Sequence, residues 1–253
     1  MGTGRVPMSR SRPTPAPRPT AVLGPHGALP RGETKRVAIE AMFDRVAPGY
    51  DRMNRIISFG LDRRWRRKAV AALALAPGAR VLDLACGTGD FSRDLKAAGH
   101  QPVGADFSAG MLAAARTPTP LVRADAAALP VADGEFDAIV CGFALRNFVD
   151  LDTVFRECAR ALRPGGRIAA LDAAIPNRAL LRAGNAVWFR GAVPLLGRLL
   201  SRDPDAYRYL PASTAYLPPA TALIDLLASA GFVDTRHRTM TGGSVQLLTG
   251  TRT

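Results

Sequence analysis

Acidic residues close several short apolar runs of this 253-residue chain, and glycines crowd the first of them. "VLDLACGTGDFS" (Val81–Ser92) carries Asp83 and then Ala85, Gly87 and Gly89 at alternate positions. "PVGAD" ends on Asp106, and "LVRAD" on Asp125 with Ala126 after it. Glycine lets a backbone turn tightly and approach a ligand closely, so a nucleotide is the first ligand to test. The G-x-G-x-x-G dinucleotide fingerprint would need glycine where Ser92 stands. A pyrophosphate also wants the bare amino end of a helix, yet Asp90 sits there with Asp83 nearby. Carboxylates in that place oppose a phosphate and suit a cation.

S-adenosylmethionine meets that requirement, with a sulfonium and an ammonium but no phosphate. The loop resembles the class I methyltransferase pattern of an acidic residue and alternating glycines, read here as Asp83-x-Ala85-x-Gly87-x-Gly89, with Ala85 replacing the first glycine. Asp106 is placed to accept both ribose hydroxyl protons in a bidentate hydrogen bond, and Asp125-Ala126 to meet the adenine edge. Aspartates at strand ends also cap helices and turns; three around one glycine turn favour the cofactor.

The elements that must hold these residues read as alternating strands and helices. Five buried strands are expected at Arg80–Ala85, Pro102–Asp106, Leu121–Asp125, Phe136–Gly142 and Arg167–Ala173. Helices are expected between them at Asp90–Ala98, Ser108–Arg116 and Leu151–Leu162, with Ser108 as an N-cap and "RPGG" (Arg163–Gly166) as a helix stop. Such alternation predicts βαβ units and a parallel sheet. An amphipathic helix over Thr221–Phe232 and two strands, Val233–Met240 and Ser244–Arg252, then form a closing hairpin. The fold class is therefore α/β, with a mostly parallel seven-stranded sheet and an antiparallel C-terminal hairpin; the resemblance of the glycine loop implies that it is the Rossmann-like class I methyltransferase fold, with a helical cap. Two regions fall outside the sheet, one before it and one at residues 176–219; both belong near the carboxyl ends of the strands, where open α/β sheets bind ligands.

Composition sets the outer limits. The formal net charge is +13. Residues 1–36 hold seven basic side chains against Glu33, so nearly half of that excess precedes the fold. Residues 1–34, rich in Pro, Gly and Arg without apolar period, read as a disordered basic tail, and 35–253 as one domain. No apolar stretch of signal-peptide length follows the basic residues. Cys86, Cys141 and Cys158 show neither metal spacing nor a paired framework, which points to no metal and a reduced, cytoplasmic compartment. The greasy run Ala179–Leu200 is interrupted by Arg182, Arg190, Pro194 and Arg198, a poor membrane span. No nucleic-acid partner is expected: much of the charge is in the tail, and no Asn-Pro-Pro-aromatic motif of base-amino methylases follows the fourth strand.

From about Val37 onward the chain resembles the C-methyltransferase family of ubiquinone and menaquinone biosynthesis. The segments that carry the likeness are "MFDRVAPGYDRMNRIISFGLDRRWRR", "FALRN", "RALRPGGRI" and "DPDAYRYLPAS", beside the glycine loop. The resemblance implies cofactor contacts at Thr88, Asp106, Asp125 and Ala126. It implies SAM-dependent C-methylation of a prenylated hydroquinone. The scarcity of lysine (Lys35, Lys68, Lys96) suggests a GC-rich bacterial source and hence demethylmenaquinol. A methyltransferase of specialised metabolism, acting on another phenol or polyketide, would share every cofactor residue. Gly142 stands where the family tends to have serine, and Asp172 where it often has glutamate. Methylating a ring carbon needs an electron-rich phenolate, so Arg146 and Asn147 are expected to stabilise that oxyanion, and Tyr50 to orient the ring or relay the proton. No histidine is an evident base: His26 falls in the tail, His100 in a turn and His237 in a late strand. Residues 35–75 would then be a helical lid, with Phe43, Tyr50, Met53 and Phe59 as an apolar wall. Arg63, Arg64, Arg66 and Arg67 would face anionic lipid, with Ala179–Leu200 adding an interfacial surface.

Overall fold

The computed structural model describes residues 23, 28–200 and 203–253. The tail expectation for residues 1–22 and 24–27, and the position of His26 with it, lie outside the described residues. The first helix takes in the last residues assigned above to the tail: α1 spans Gly32–Val46, and Leu23 and Leu29 pack on the apolar cluster that α1 helps to build.

Five strands follow one another as the apolar runs predict: β1 (Arg80–Leu84), β2 (Gln101–Asp106), β3 (Leu121–Arg123), β4 (Phe136–Gly142) and β5 (Leu162–Ala173). With the hairpin β6 (Phe232–Met240) and β7 (Val245–Arg252) they form one seven-stranded sheet in the order β3-β2-β1-β4-β5-β7-β6. β1 to β5 pair in parallel, while β7 runs antiparallel to both β5 and β6. The order reverses between β1 and β4, and at such a switch point a crevice opens beyond the strand ends. One expectation shifts: the "RPGG" stretch does stop the helix, but its residues already belong to β5. A register shift between Phe136 and Ala138 absorbs them.

Strand side chains alternate between faces, and the sequence uses both. Leu82, Ile139, Cys141, Ile168 and Ala170 pack on one face with Phe155, Leu223 and Leu227. These last come from α6 (Leu151–Ala161) and α10 (Ala220–Ser229). Val81, Ala138, Val140, Ala169 and Leu171 meet Trp65, Leu73, Phe91 and Leu95 on the other. There the cover is α3 (Asp62–Ala72) and α4 (Asp90–Ala97). On β2's flank, α5 (Ala109–Ala114) starts at Ser108, whose hydroxyl caps the Met111 N–H at 3.0 Å as its residue type predicts.

A third cluster lies off the sheet. It joins Ile39, Met42, Met53 and Ile57 to Val193, Tyr207 and Tyr209. The first group sits on α1 and α2 (Tyr50–Ile57); the second on the cap, made of α7 (Ala179–Val187), a π-helical turn (Trp188–Ala192), α8 (Val193–Leu200) and α9 (Pro204–Ser213). Lid and cap thus share one core of their own. No helix among the described residues is long and apolar enough to cross a membrane.

Candidate active site

The glycine loop needs three left-handed residues between β1 and α4. Gly87 (φ 54°) and Gly89 (φ 85°) supply two, and Ala85 (φ 55°) takes the third despite its Cβ, at a cost of about 1–2 kcal/mol. A Cβ on Gly89 would lie 2.6 Å from the Thr117 methyl, so the loop is also tightly enclosed there.

Most of the loop's acidic residues are spent inside the protein. Asp83 is buried, and one of its oxygens accepts both the Ser92 N–H (2.8 Å) and the Ser92 hydroxyl (2.7 Å). Burial pushes its carboxyl up to about 7, against the pull of Ser92. The Thr88 hydroxyl donates to Asp51 of α2. Asp90 pairs with Arg93, and with Arg66 at 3.1 Å. Asp90 is therefore neutralised and does not present the free carboxylate inferred for it above.

The crevice at the switch point is a cavity of about 280 Å3. Gly87, Asp106, Asp125 and Ala126 line it; Asp83, Thr88 and Gly89 lie in the same loop but not in its lining. Each Asp106 oxygen already accepts one backbone N–H, from Gly87 (2.8 Å) and from Ser108 (2.9 Å), which fixes the carboxylate plane and leaves lone pairs on both. Burial raises the Asp106 pKa, while those N–H groups and that of Phe107 pull it back. Asp125 turns the chain by accepting from the Ala127 N–H at 2.9 Å. Glu33 and Arg36, from the first turn of α1, cover the cavity as an ion pair. The lining carries Glu33, Asp106, Asp125 and Asp150 against Arg36, an acidic set that disfavours phosphate and fits a cationic nucleoside.

A larger cavity of about 1030 Å3 lies between lid and cap. Phe43, Tyr50, Phe143 and Asn147 line both cavities, so the two meet at these residues. The Tyr50 ring packs edge-on against Phe43, 6.1 Å between centroids, and lies beside Gly87. Burial raises its pKa, with a hydrogen bond from Asn54 acting the other way. Burial thus favours the protonated phenol at Tyr50.

Arg146 and Asn147 sit in a 3-10 turn just past β4. Arg146 is 5% exposed. Its Nη1 donates to Asp172 at the end of β5, its backbone N–H to the same carboxylate at 3.1 Å, and its Nε to Ser213 at 3.1 Å. Nη2 has no hydrogen-bond partner among the described residues. Burial opposes the charge, but Asp172 outweighs it and the Arg146 pKa is raised. Asn147 accepts from the Tyr209 hydroxyl at 3.1 Å. Along the sequence Asp172 stands out only as a departure from the family's glutamate, and Tyr209 and Ser213 only as members of the family segment "DPDAYRYLPAS". The one signal available was the spacing of Tyr209 and Ser213, one helical turn apart in "YLPAS".

The remaining expectations divide. Phe43 and Phe59 do line the larger cavity; Met53 is core and does not. Arg63, Arg64 and Arg67 are exposed, but Arg66 is buried among Asp62, Asp90 and Asp94 at 2.7–3.1 Å and cannot reach lipid. Gly142 has a steric reason: a Cβ there would lie 2.7 Å from the Phe91 ring, which occupies the space a serine needs. His100 is buried, and His237 is bonded to Gln246 at 2.8 Å.

The architecture is that of class I methyltransferases. A SAM-dependent methyltransferase from Thermotoga maritima superposes with a TM-score of 0.59 over 84% of this chain and 98% of its own, at 20% identity. Phosphoethanolamine N-methyltransferase 2 of Haemonchus contortus, bound to S-adenosyl-L-methionine, gives 0.56 over 74% of this chain and 52% of its own, at 15% identity. Sequence likeness is far narrower. Residues 31–252 match the ubiE/COQ5 methyltransferase family, and the chain belongs to it. It is 42% identical over 232 residues to a protein of Roseiflexus sp. (88% of this chain, 96% of the relative). It is 43% identical over 221 residues to one of Thermus thermophilus (83% and 100%). Both are named demethylmenaquinone methyltransferase.

Proposed function

We propose that this enzyme transfers the methyl group of S-adenosyl-L-methionine to a ring carbon of a prenylated hydroquinone, converting demethylmenaquinol to menaquinol. The observation that carries the reading is the junction of the two cavities at Tyr50 and Asn147, beside a buried arginine. The names of the relatives support this substrate over another phenol or polyketide.

The cofactor supplies an electrophilic methyl group when bound. Asp106 would take the ribose hydroxyls, Asp125 and Ala126 the adenine, and the Gly87 backbone would leave room for the methionine end. On the substrate side the chain's task is to favour the phenolate, which makes the neighbouring carbon nucleophilic. Arg146 supplies a fixed positive charge there without changing its own protonation. Asn147 and Tyr50 supply neutral donors at the same end. Fixing carbon and methyl in line lowers the barrier further. The larger cavity runs from these polar groups to Phe59, Leu180 and Leu181 at the surface, an apolar route for the prenyl chain.

That route supports contact with a membrane face. None of the nine residues of α7 is buried. Leu180 (84% exposed), Val187 (73%) and Leu199 (72%) leave apolar surface beside the exposed Arg182, Arg190 and Arg198, a combination suited to an anionic lipid interface.

The test is methyl transfer from labelled S-adenosyl-L-methionine to chemically reduced demethylmenaquinone, with the oxidised quinone as control. Label is expected in the lipid only with the reduced substrate. Arg146→Lys keeps a charge opposite Asp172 but loses the planar fork, and should lower kcat about 10^2-fold with cofactor affinity unchanged. Absence of transfer to the quinol, with cofactor binding intact, would overturn the assignment.

A further inference from the structure

Helix α9 reaches the reaction end of the larger cavity with two side chains one turn apart. Tyr209 and Ser213 are both buried, 2% and 0% exposed, and each ends on one member of the consecutive pair Asn147 and Arg146. The direction of each bond is set. The Ser213 hydroxyl gives its proton to the Leu210 carbonyl at 2.8 Å, so towards Arg146 Nε it can only accept. The Tyr209 hydroxyl gives its proton to Asn147 Oδ1, which turns the amide so that Nδ2, held loosely by the Phe143 carbonyl at 3.5 Å, is the free donor. Burial raises the Tyr209 pKa above that of an ordinary phenol, so this proton stays in place across the working range.

The same helix is tied to the lid at both ends. Asp203, which precedes it, pairs with Arg45 of α1 at 2.5 Å. Past its C-terminus, the Tyr216 hydroxyl donates to the Pro30 carbonyl and its ring carries Lys35 Nζ 3.7 Å from the centroid. Lys35 also donates to the Phe148 carbonyl at 2.5 Å, next to Asn147 in the chain. The contacts that flank α9 on both sides therefore run to the lid segment whose first helix borders the cofactor cavity.

We infer that α9 is the positioning element of the oxyanion site: Tyr209 and Ser213 do not touch the reacting atoms but aim Asn147 and Arg146 at the substrate hydroxyl, and the closed lid holds α9 in register. The inference rests on the quinol reading above. If the aimed donors hold down the pKa of the bound hydroxyl, loosening them raises that pKa, and the rising limb of the kcat–pH profile moves to higher pH.

The experiment is kcat against pH on reduced demethylmenaquinone for the full chain, Tyr209→Phe and Ser213→Ala, with cofactor dissociation constants and melting curves alongside. Each substitution removes one oxygen and keeps the shape of its side chain. Both variants are expected to lose about tenfold at pH 7, the equivalent of one pKa unit, to regain the parent rate by about two units higher, and to bind cofactor as before. A loss by the same factor at every pH, or no loss in either variant, overturns the positioning role alone. An inactive parent chain overturns the quinol reading and this inference with it. If one variant fails to fold, the other decides by the same criterion.

Discussion

Single side chains in this site are set by what they are paired with. Arg146 is the clearest case: a guanidinium taken out of water survives because Asp172 receives it twice, through the side chain and through the backbone, and removing one partner of such a pair usually costs about 3–5 kcal/mol. Asp83 is the opposite case, a buried carboxylate hydrogen-bonded by Ser92, with its pKa pushed up to about 7 by burial. In the unfolded chain an aspartate titrates near 3.9. The folded protein then binds the more protons between about pH 4 and 7, so Asp83 costs stability as pH rises through that window and the cost levels off above it. Asp83→Asn keeps the acceptor for Ser92 without the charge. Its stability relative to the parent should rise by roughly 1 kcal/mol per pH unit between pH 5 and 7, read from urea unfolding. A flat difference would mean that Asp83 is ionised in the fold throughout.

Elements matter through how closely they approach. Helix α1 crosses α5 at Gly110, where an added Cβ would meet the Asp44 backbone at 2.7 Å. That backbone cannot rotate away as a side chain can. Asp44 also accepts from the Ser108 hydroxyl (2.6 Å) and the Gly110 N–H (2.8 Å), so the crossing is both tight and hydrogen-bonded. Gly110→Ala should push the lid helix off the cofactor cavity. The expected result is destabilisation by about 1–3 kcal/mol and weaker cofactor binding, measured by calorimetry. Unchanged affinity would show that α1 does not cover the bound cofactor.

Across the whole molecule, the catalytic end of the sheet carries a separate core shared by lid and cap, with an apolar rim left exposed among the described residues. Val187→Ser, Leu195→Ser and Leu199→Ser together remove exposed apolar surface without touching the lining of the larger cavity. Each fully buried side chain of this kind is worth about 1.5–3 kcal/mol. The triple variant is expected to bind vesicles containing phosphatidylglycerol at least about tenfold more weakly by flotation, while methylating a short-chain quinol as before. Equal binding of the two proteins would remove the cap from the lipid interface.

How far the sequence reaches is visible in particular places. The apolar runs ending on Asp106 and Gly142, the Ser108 cap and the closing hairpin were legible because strand alternation, capping and glycine turns are local properties, written within a few residues. The family was legible for the same reason, since its motifs are contiguous. Which acidic residues would face a ligand was not. Asp83 and Asp90 look as available as Asp106 along the chain; Arg93, three residues on, is a local partner for Asp90, but only the fold brings Arg66 to Asp90 and Ser92 to Asp83. Arg66 reads like its exposed neighbours until three carboxylates close round it. Asp172 and Ser213 meet Arg146 across 26 and 67 residues. Residue type and spacing determine which groups this protein owns and which elements carry them. Tertiary structure decides which of those groups meet a partner beyond their own helix, because such pairing depends on distances in space that separation along the chain does not encode.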